Sequence, residues 1–308
     1  MTNLAQPTWA RPESCLGYQR AGGARRFRAA HGATIPLDQL ASLAPSIFAQ
    51  DRHESRSEKY TYIDTSAVLQ TLIKEGFMPV AVQQGGSRIE GKREYTKHVV
   101  NFRHRRDMER TAPRFVGEVY PEVSLLNSHD GTSAYTLAMD LFRLVCLNGM
   151  QVSDGTIERV KVPHKGDVGA QIIEGAFRVI DRAPEVMDSV QAMSGLILSP
   201  PERLAFATAA RELRWTAEEA PIDAGRLLQP RRVADAGADL WRTFNITQEH
   251  LLRGGDTYQL TTQDPDTGRR QTQNRRVGEV RSIDQSGSLN RALWTLAAEM
   301  QKLKEGAQ

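Results

Sequence analysis

The spacing of apolar residues changes along the chain, and this change constrains the fold more than any other feature. Four segments of the first half alternate apolar or β-branched residues with polar ones, which indicates strands. They are Glu58–Asp64, Met78–Gln83, Tyr95–His104 and Arg114–Leu125. From about residue 166 the apolar positions recur every third or fourth residue, as on one face of a helix. A block of strands followed by a block of helices predicts an α+β fold.

We expect an N-terminal antiparallel sheet that carries a long basic hairpin and a packed helix, followed by a mainly helical C-terminal half. The packed helix is Ser66–Lys74, which Thr65 caps and Gly76 ends. Further helices are predicted at Ala134–Arg143, Gln171–Arg182, Pro200–Trp215, Arg232–Arg253 and Leu289–Lys304. The chain then divides into a flexible arm over 1–35, a sheet domain over 36–165 and a helical region over 166–308 packed on it. An arm that lies on its own domain is the alternative for the first segment.

Composition excludes several classes of protein. Among the 308 residues, 40 Lys and Arg oppose 37 Asp and Glu, and 40% are hydrophobic, which differs from a disordered tail or a coiled-coil rod. The two cysteines, Cys15 and Cys146, lack metal-like spacing and predict reduced thiols. No apolar run approaches the ~18 residues of a membrane helix, and the first residues do not resemble a secretory leader. We therefore expect a cytoplasmic protein without a membrane partner.

Positive charge is concentrated in the predicted hairpin. Between Arg88 and Arg114, nine Lys and Arg oppose four Asp and Glu, and a basic hairpin with aromatic residues is typical of a surface for single-stranded nucleic acid. The residues expected to contact phosphates are Arg88, Lys92, Arg93, Lys97, Arg103, Arg105 and Arg106, with Tyr95 or Phe102 stacking on bases. A solvated edge hairpin whose charges prevent aggregation is the alternative.

Two other stretches are rich in arginine. One lies in the arm and contains Arg20, Arg25, Arg26 and Arg28. The other, Arg269–Arg281, is polar and lies between two predicted helices. With the residues before it, it predicts a second hairpin whose turn contains Asp266, Thr267 and Gly268. Segregated positive charge of this kind suits a polyanionic partner.

The segment Asn127–Ala134 is the most unusual polar stretch of the chain. Its Asn, Ser, Asp and Gly residues are typical of a turn and a helix cap. The other interpretation is a polar site after a strand, where His129 and Asp130 orient each other or face a phosphate. With His164, these two residues are the candidates for a metal- or phosphate-dependent enzyme. Other residues of a possible polar site are Asn127, Ser128, Asn148, Gln248, Glu249 and Arg253.

Several stretches together resemble a family of phage- and plasmid-borne bacterial proteins described as a domain of unknown function. They are Tyr60–Ile63, Asn127–Ala134, Phe142–Gly149, Leu240–Trp241, Gln248–Gly255 and Leu289–Trp294, and the resemblance covers roughly residues 58 to 304. It implies a mobile-element setting and transfers no catalytic residue. At the level of the fold, the order of Tyr62-Ile63, a helix and a long hairpin over Val80–His104 is similar to single-strand annealing proteins of phage and eukaryotic recombination.

These observations predict a non-catalytic protein that binds single-stranded DNA in the recombination, annealing or repair of a mobile genetic element. We expect it to act as a homo-oligomer without a cofactor or a metal, since short catalytic and nucleotide-binding motifs are absent from the sequence. Two alternatives stay open. One is the enzyme acting on nucleic acid or nucleotides through His129 and Asp130. The other is a protein-interaction factor that counters host defence.

Overall fold

The chain divides into two units, each assembled from separate stretches of sequence. A computed structural model describes residues 15–21, 24–30, 32–51, 63–87, 89, 91–108, 119–143, 148–151, 159–162, 167–216, 219–263 and 267–306. The first unit, here the sheet unit, comprises residues 1–114, 118–144 and 157–183. The second, here the helical unit, comprises residues 115–117, 145–156 and 184–308.

An antiparallel sheet forms the sheet unit. Its strands are β1 (Cys15–Ala21), β2 (Ala24–Ala29), β3 (Phe77–Gln84), β4 (His98–His104), β5 (Val119–Asn127) and β6 (Tyr135–Arg143). Strand β7 (Asn148–Gln151) belongs to the helical unit, and β8 (Val160–Val162) pairs with β6. From β1 to β6 each strand pairs with the next one along the chain. Every connection between these neighbours therefore reverses the chain direction, and the connection from β2 to β3 contains α1 and α2.

Helices cover the apolar face of this sheet. They are α1 (Leu37–Leu43), α2 (Thr65–Lys74) and α4 (Val168–Asp181), whereas the short α3 (Arg105–Met108) follows β4 and buries none of its residues. Helix α2 packs against β3, and α4 packs against β5 and β6. At Gly175 of α4, an added Cβ would lie 2.6 Å from Leu137 Cδ1, so glycine permits this close approach. The core between helices and sheet buries aliphatic and aromatic residues such as Leu69, Phe102 and Ile172.

The helical unit is built around one buried helix. Its elements are α5 (Ala183–Gly195, which begins at the unit boundary), α6 (Pro200–Glu212), α7 (Leu240–Arg253), β9 (Thr257–Gln263), β10 (Arg270–Arg276) and α8 (Ile283–Gly306). Helix α7 packs against α6 and α8, and every residue from Leu240 to Leu252 except Arg242 is buried. Trp241, Phe244 and Trp294 form an aromatic cluster between α7 and α8.

The α+β class predicted from the sequence is confirmed, and several elements are corrected. Residues 135–143 form β6 rather than a helix. All nine residues are buried, so the strict alternation of polar and apolar residues that indicates a half-buried strand is missing from this segment. Residues 24–29 of the predicted arm form β2, which pairs with β3 and buries Phe27 and Ala29. The predicted domain boundary at 165 lies near 183 instead, because α4 packs on the sheet.

Other predicted boundaries also differ. Helix α7 begins at Leu240 rather than Arg232, since the Asp239 side chain accepts a hydrogen bond from the backbone N–H of Arg242 and caps the helix there. The strand predicted at 58–64 falls mostly on residues 58–62, which lie outside the described residues, and residues 63 and 64 precede α2 as irregular backbone. The remaining predicted helices and the hairpin over 257–276 overlap elements of the structure, although α6 ends at Glu212 and α8 begins at Ile283, and α5 was not predicted.

Candidate nucleic-acid interface

Strands β9 and β10 form a two-stranded antiparallel ribbon that is exposed on both faces. The register runs from Arg270 opposite Gln263 to Arg276 opposite Thr257. Of the fourteen residues in the two strands, Tyr258 alone is half-buried and the others are exposed. A two-stranded ribbon of this kind has no core of its own. Its side chains are therefore available to a partner on either side.

The chemistry of the ribbon is cationic and rich in hydrogen-bond donors. One face carries Tyr258, Leu260, Thr262, Gln271, Gln273 and Arg275, and the other carries Thr257, Gln259, Thr261, Gln263, Arg270, Thr272, Asn274 and Arg276. The two strands contain no Asp or Glu. In the described part of the chain, no carboxylate forms an ion pair with Arg269, Arg270, Arg275 or Arg276. Arginine, glutamine and asparagine are the side chains that contact phosphates and base edges in nucleic acids.

Two glycines fix the foot of the ribbon to the end of α7. Gly254 has a φ of 59°, and an added Cβ would lie 2.4 Å from the carbonyl oxygen of Val277. Gly255 donates its backbone N–H to Val277 O at 2.8 Å, and Val277 donates to Asp256 O at 2.8 Å. Val280 N donates to Leu252 O, also at 2.8 Å. The polypeptide therefore leaves α7, forms the ribbon and returns to the same point.

A buried carboxylate collects cations at this foot. Asp256 accepts hydrogen bonds from Arg226 Nε at 2.9 Å and from Arg231 Nη2 at 3.0 Å, and its Oδ2 lies 2.6 Å from His250 Nδ1. Burial alone would raise the pKa of Asp256, but His250, Arg226 and Arg231 hold that pKa below its usual range. Arg276 lies at the same foot, where its Nε donates to Gly255 O at 2.9 Å. We call the three arginines Arg226, Arg231 and Arg276 the arginine collar.

The polar residues predicted on α7 have internal partners. Glu249 is buried and accepts two hydrogen bonds from Arg232, which also contacts Asp235 at 2.8 Å. Gln248 is buried and donates to Asn290 Oδ1 of α8 at 2.9 Å. Both side chains therefore stabilise the helical unit rather than face a ligand. Arg253 is half-buried in the last turn of α7, and Asn148 lies in β7.

Two residues predicted to contact DNA are buried in the sheet unit, which corrects that part of the prediction. Phe102 is fully buried in the core on β4. Arg103 is buried next to it, where it donates to Glu122 Oε1 at 2.7 Å and lies 4.3 Å from the ring centre of Tyr120. Neither residue is accessible to a DNA strand. The alternating pattern of β4 was correct, but both faces of the sheet are buried at this position.

The other predicted DNA contacts are spread over different elements. Arg93 is exposed in a 3-10 turn before β4, while Tyr95 and Lys97 are half-buried. Lys92 forms an ion pair with Asp130 at 3.6 Å. Arg105 does not extend β4 but begins α3, and Arg106 contacts Asp181 at 3.4 Å. Arg88 lies outside the described residues. The accessible cations here thus belong to several different elements, whereas those of the ribbon lie on one pair of strands.

The Asn127–Ala134 segment forms the turn between β5 and β6. Ser128 Oγ accepts from Ser133 N at 2.8 Å, and Asp130 Oδ1 accepts from Thr132 N at 3.0 Å and from Thr132 Oγ1 at 2.5 Å. Burial alone would raise the pKa of Asp130, but the bonds from Thr132, the hydroxyl of Ser128 and the charge of Lys92 lower it. The side chains of this segment thus stabilise a turn, as one of the two interpretations of the sequence predicted. The element that follows the turn is a strand rather than the predicted helix.

The two histidines of this region lie in a buried polar network. Thr65 Oγ1, at the start of α2, lies 3.1 Å from His129 Nε2 and 2.7 Å from the hydroxyl of Tyr135, and it accepts from Asn127 Nδ2 at 3.1 Å. The ring centres of His98 and His129 are 5.6 Å apart. Because these side chains are buried, the network joins α2 to the sheet and offers no access to a substrate.

Neither geometry nor access supports the enzyme hypothesis. His129 is fully buried, Asp130 is engaged in the turn, and His164 lies outside the described residues. Across the part of the chain that the structure describes, no three His, Cys, Asp or Glu side chains are grouped so that they could hold a metal ion.

A second buried charged cluster was missed from the sequence. Glu122 on β5 accepts two hydrogen bonds from Arg28 of β2, at 2.8 and 2.9 Å, besides the one from Arg103. Opposite it on β6, Asp140 accepts from Asn101 Nδ2 at 2.7 Å and from Ser124 Oγ at 3.1 Å. The available signal was a carboxylate in the middle of each of two otherwise apolar segments.

Burial dominates the titration of this second cluster. It raises the pKa of Asp140 to about 7, and the neighbouring charge of Glu122 contributes in the same direction. The pKa of Glu122 moves the other way, because Arg28 and Arg103 outweigh the effect of burial. Of the two carboxylates, Glu122 is therefore the one held ionised by arginine.

The fold and these surfaces define an α+β protein whose exposed polar feature is an arginine-rich two-stranded ribbon. Residues 52–294 match the model of a domain of unknown function, DUF932, and the chain belongs to this family. It is 42% identical over 263 residues to the UPF0380 protein YafZ of Escherichia coli K12, and 41% identical over 263 residues to the UPF0380 protein YfjQ of the same strain. Each alignment covers 85% of this chain and 90% of the relative.

No solved structure matches the chain. The predicted membership in a family of unknown function is thus confirmed, whereas the phage and plasmid setting and the likeness to annealing proteins stay predictions. Among the helices of the described residues, none combines the length and the low polarity required to cross a membrane.

Proposed function

We propose that this chain is a non-catalytic nucleic-acid-binding protein whose ribbon contacts single-stranded DNA. The observation that carries the proposal is the exposed ribbon itself. It presents arginines that have no carboxylate partner in the described part of the chain, on strands free of acidic residues. Cations that are not neutralised internally are the groups that replace counterions on a phosphate backbone.

The arrangement of the ribbon supports a polyanion rather than an apolar partner. Apart from Leu260 and Tyr258, its side chains are hydroxyls, amides and guanidiniums. Tyr258 lies directly opposite Arg275 in the register. An aromatic ring beside a guanidinium is the combination that stacks on a base while it contacts the adjoining phosphate. This pair favours a single strand, whose bases are accessible, over a closed duplex.

The test measures the binding of a fluorescent 40-nucleotide single strand to the full chain at several salt concentrations. We expect the double variant Arg270→Gln/Arg275→Gln to weaken binding by about tenfold. The slope of log affinity against log salt should become shallower by about 0.7 for each lost phosphate contact. Both residues are exposed, so the substitutions leave the fold intact.

The matched control is Arg93→Gln/Arg105→Gln, which removes the same charge from exposed positions of the sheet unit. This control should change affinity and slope much less than the ribbon variant. An unchanged affinity and slope in the ribbon variant would refute the ribbon as the interface. A duplex of the same sequence serves as competitor, and if it displaces the single strand at equal concentration, duplex DNA is the ligand instead.

The wider role follows from the sequence resemblance. Recombination, annealing or repair of mobile-element DNA needs a protein that covers long single strands, and a homo-oligomer of this chain would line up several ribbons along one strand. Multivalent contacts of this kind raise apparent affinity without new chemistry at each site. This role predicts that stoichiometry grows with strand length, which sedimentation with strands of 20, 40 and 80 nucleotides measures.

A further inference from the structure

Two arginines from distant parts of the sequence meet at the foot of the ribbon. Arg231 Nη2 donates to the carbonyl oxygen of Gly254 at 2.6 Å, and Arg276 Nε donates to the carbonyl oxygen of Gly255 at 2.9 Å. Consecutive carbonyls of the Gly254–Gly255 pair therefore hold two guanidiniums next to each other. Asp256 offsets part of the charge of Arg231, and an anion held by both guanidiniums would further reduce their mutual repulsion.

Each guanidinium keeps donors that the described part of the protein does not use. Arg231 Nη1 lies 4.0 Å from Glu249 Oε1, which is an ion pair beyond hydrogen-bond distance, and it donates no hydrogen bond within the described residues. The terminal nitrogens of Arg276 form no hydrogen bond within the described residues. Arg231 is partly exposed and Arg276 is exposed, so an anion from solvent reaches both.

Gly255 keeps the space between these guanidiniums open. A Cβ built on Gly255 would lie 3.4 Å from Arg276 Nη2 and 3.9 Å from Arg231 Nη1. Any side chain at this position would therefore occupy the notch between the two charges. The φ of Gly255 is 93°, a conformation that residues with a side chain rarely adopt. We call this feature the Gly255 notch; it consists of Arg231, Gly255 and Arg276.

We propose that the Gly255 notch binds a phosphate group through the free donors of Arg231 and Arg276. Two guanidinium forks match the oxygens of a phosphate, and charge-assisted hydrogen bonds of this type are among the strongest in proteins. Asp256 acts as a positioning residue, because its bond to Arg231 holds that guanidinium at the notch. The phosphate has two sources, a free phosphate ion or the backbone of a bound strand; the second rests on the function proposed above.

The test records NMR signals of the arginine Nε–Hε groups in the full chain. Inorganic phosphate is titrated against a chloride control at matched ionic strength. We expect a saturable shift of the Arg276 Nε–Hε signal with phosphate and none with chloride. The signal is assigned by its loss in Arg276→Gln. The absence of a phosphate-specific shift would overturn the proposal.

Two variants that each lose one positive charge distinguish specific binding at the notch from nonspecific electrostatic attraction of phosphate. We expect Arg276→Gln to weaken phosphate binding by about tenfold, as for the loss of a charge-assisted hydrogen bond. The control Arg93→Gln removes an exposed arginine of the sheet unit and should leave phosphate binding at the notch unchanged. Phosphate binding is followed in both variants by the remaining Nε–Hε signals around the notch. Equal weakening in the two variants, or none in either, would contradict a specific notch.

A final arm adds a 40-nucleotide single strand to the wild-type chain. If the strand shifts the Arg276 signal and phosphate competes with that shift, the notch holds a backbone phosphate. If phosphate shifts the signal but the strand does not bind, the notch stands as a site for free phosphate and the DNA-binding function fails. If the strand binds while neither ligand moves the signal, the DNA-binding function stands and the notch fails.

Discussion

At the residue scale, burial moves the titration of two side chains of the sheet unit away from their usual ranges. His98 lies in the core beside His129, and burial, followed by the charge of His129, lowers its pKa to about 3. Asp140 lies among strands and has its pKa raised to about 7. Both groups are therefore kept neutral by the fold where the unfolded chain would ionise them. Their effects on stability have opposite dependences on pH.

The His98 contribution is lost as the solution becomes acidic. In the unfolded chain His98 becomes protonated below about pH 6.5, whereas in the folded chain it stays neutral down to about pH 3. Stability from this group is therefore full above pH 6.5 and falls through that window. Between pH 7 and pH 5 we expect the wild type to lose about 2 kcal/mol of unfolding free energy through His98. Urea denaturation at both pH values should show a smaller loss in His98→Gln, and an equal loss would contradict the assignment.

The Asp140 contribution is lost as the pH rises. The unfolded chain releases the Asp140 proton above about pH 3.8, whereas the folded chain keeps it until about pH 7. Stability from this group is therefore full below pH 3.8 and falls as the pH approaches 7. Asp140→Asn stays neutral and still has an oxygen for Asn101 and an N–H for Ser124. We expect its stability relative to wild type to improve by roughly 2 kcal/mol between pH 5 and pH 8. Chemical denaturation measures this, and a constant difference would refute it.

Individual side chains were predicted less well than the pattern that contains them. The alternation around Phe102 and Arg103 correctly indicated a strand. A sheet with one wet face would have exposed one of the two residues, but here both faces are buried. The partner that neutralises Arg103 is Glu122 on the next strand, nineteen residues away. A single sequence does not contain that pairing, so the basic patch appeared more accessible than it is.

At the element scale, the sequence predicted the ribbon and most helices, because these depend on residues close together in the sequence. The N-caps were predicted less well, since Asp64 rather than Thr65 caps α2 and Asp239 caps α7. The turn residues Asp266, Thr267 and Gly268 and the polar strands around them were sufficient for the ribbon. Helix α6 begins at Pro200, as predicted, and the structure adds a capping box of Ser199 and Glu202 there. Strand β6 was assigned as a helix because its burial on both faces removed the alternation on which a strand assignment depends.

The junction between α7 and the ribbon depends on one glycine. In Gly254→Ala the new methyl group would lie 2.4 Å from Val277 O and 2.6 Å from Gly278 O, both backbone atoms that cannot move independently. We expect a loss of about 3 kcal/mol in unfolding free energy. Gly278→Ala is the matched control, because a Cβ there meets no atom within 4 Å and should change stability by less than about 0.5 kcal/mol. Similar urea midpoints for the two variants would contradict this account.

At the scale of the whole molecule, the chain forms two units, and each unit is assembled from separate stretches of the sequence. The prediction of a simple division at residue 165 missed that β7, from the middle of the chain, packs against α8 near its end. Such long-range pairings arise from tertiary packing and leave no local pattern. The α+β class was predictable because it depends only on the order of strand and helix patterns along the whole chain. An error in one element, such as β6, does not change that order.

This interleaving predicts how fragments of the chain behave. A fragment over 184–308 lacks β7, whereas a fragment over 145–308 contains it. We expect the longer fragment to unfold at a higher urea concentration, because α8 then retains its packing partner. Circular dichroism during urea titration measures both midpoints. A midpoint for 184–308 equal to or above that of 145–308 would show that β7 contributes nothing to the stability of the helical unit.

The ribbon has a consequence for how proteins of this kind diversify. Its side chains are exposed and bury no core, so most substitutions there change stability by less than about 0.5 kcal/mol. The foot, by contrast, is fixed by Gly254, by the buried Asp256 and by backbone hydrogen bonds. Selection can therefore change the chemistry of the ribbon surface, residue by residue, while the scaffold that presents it stays the same.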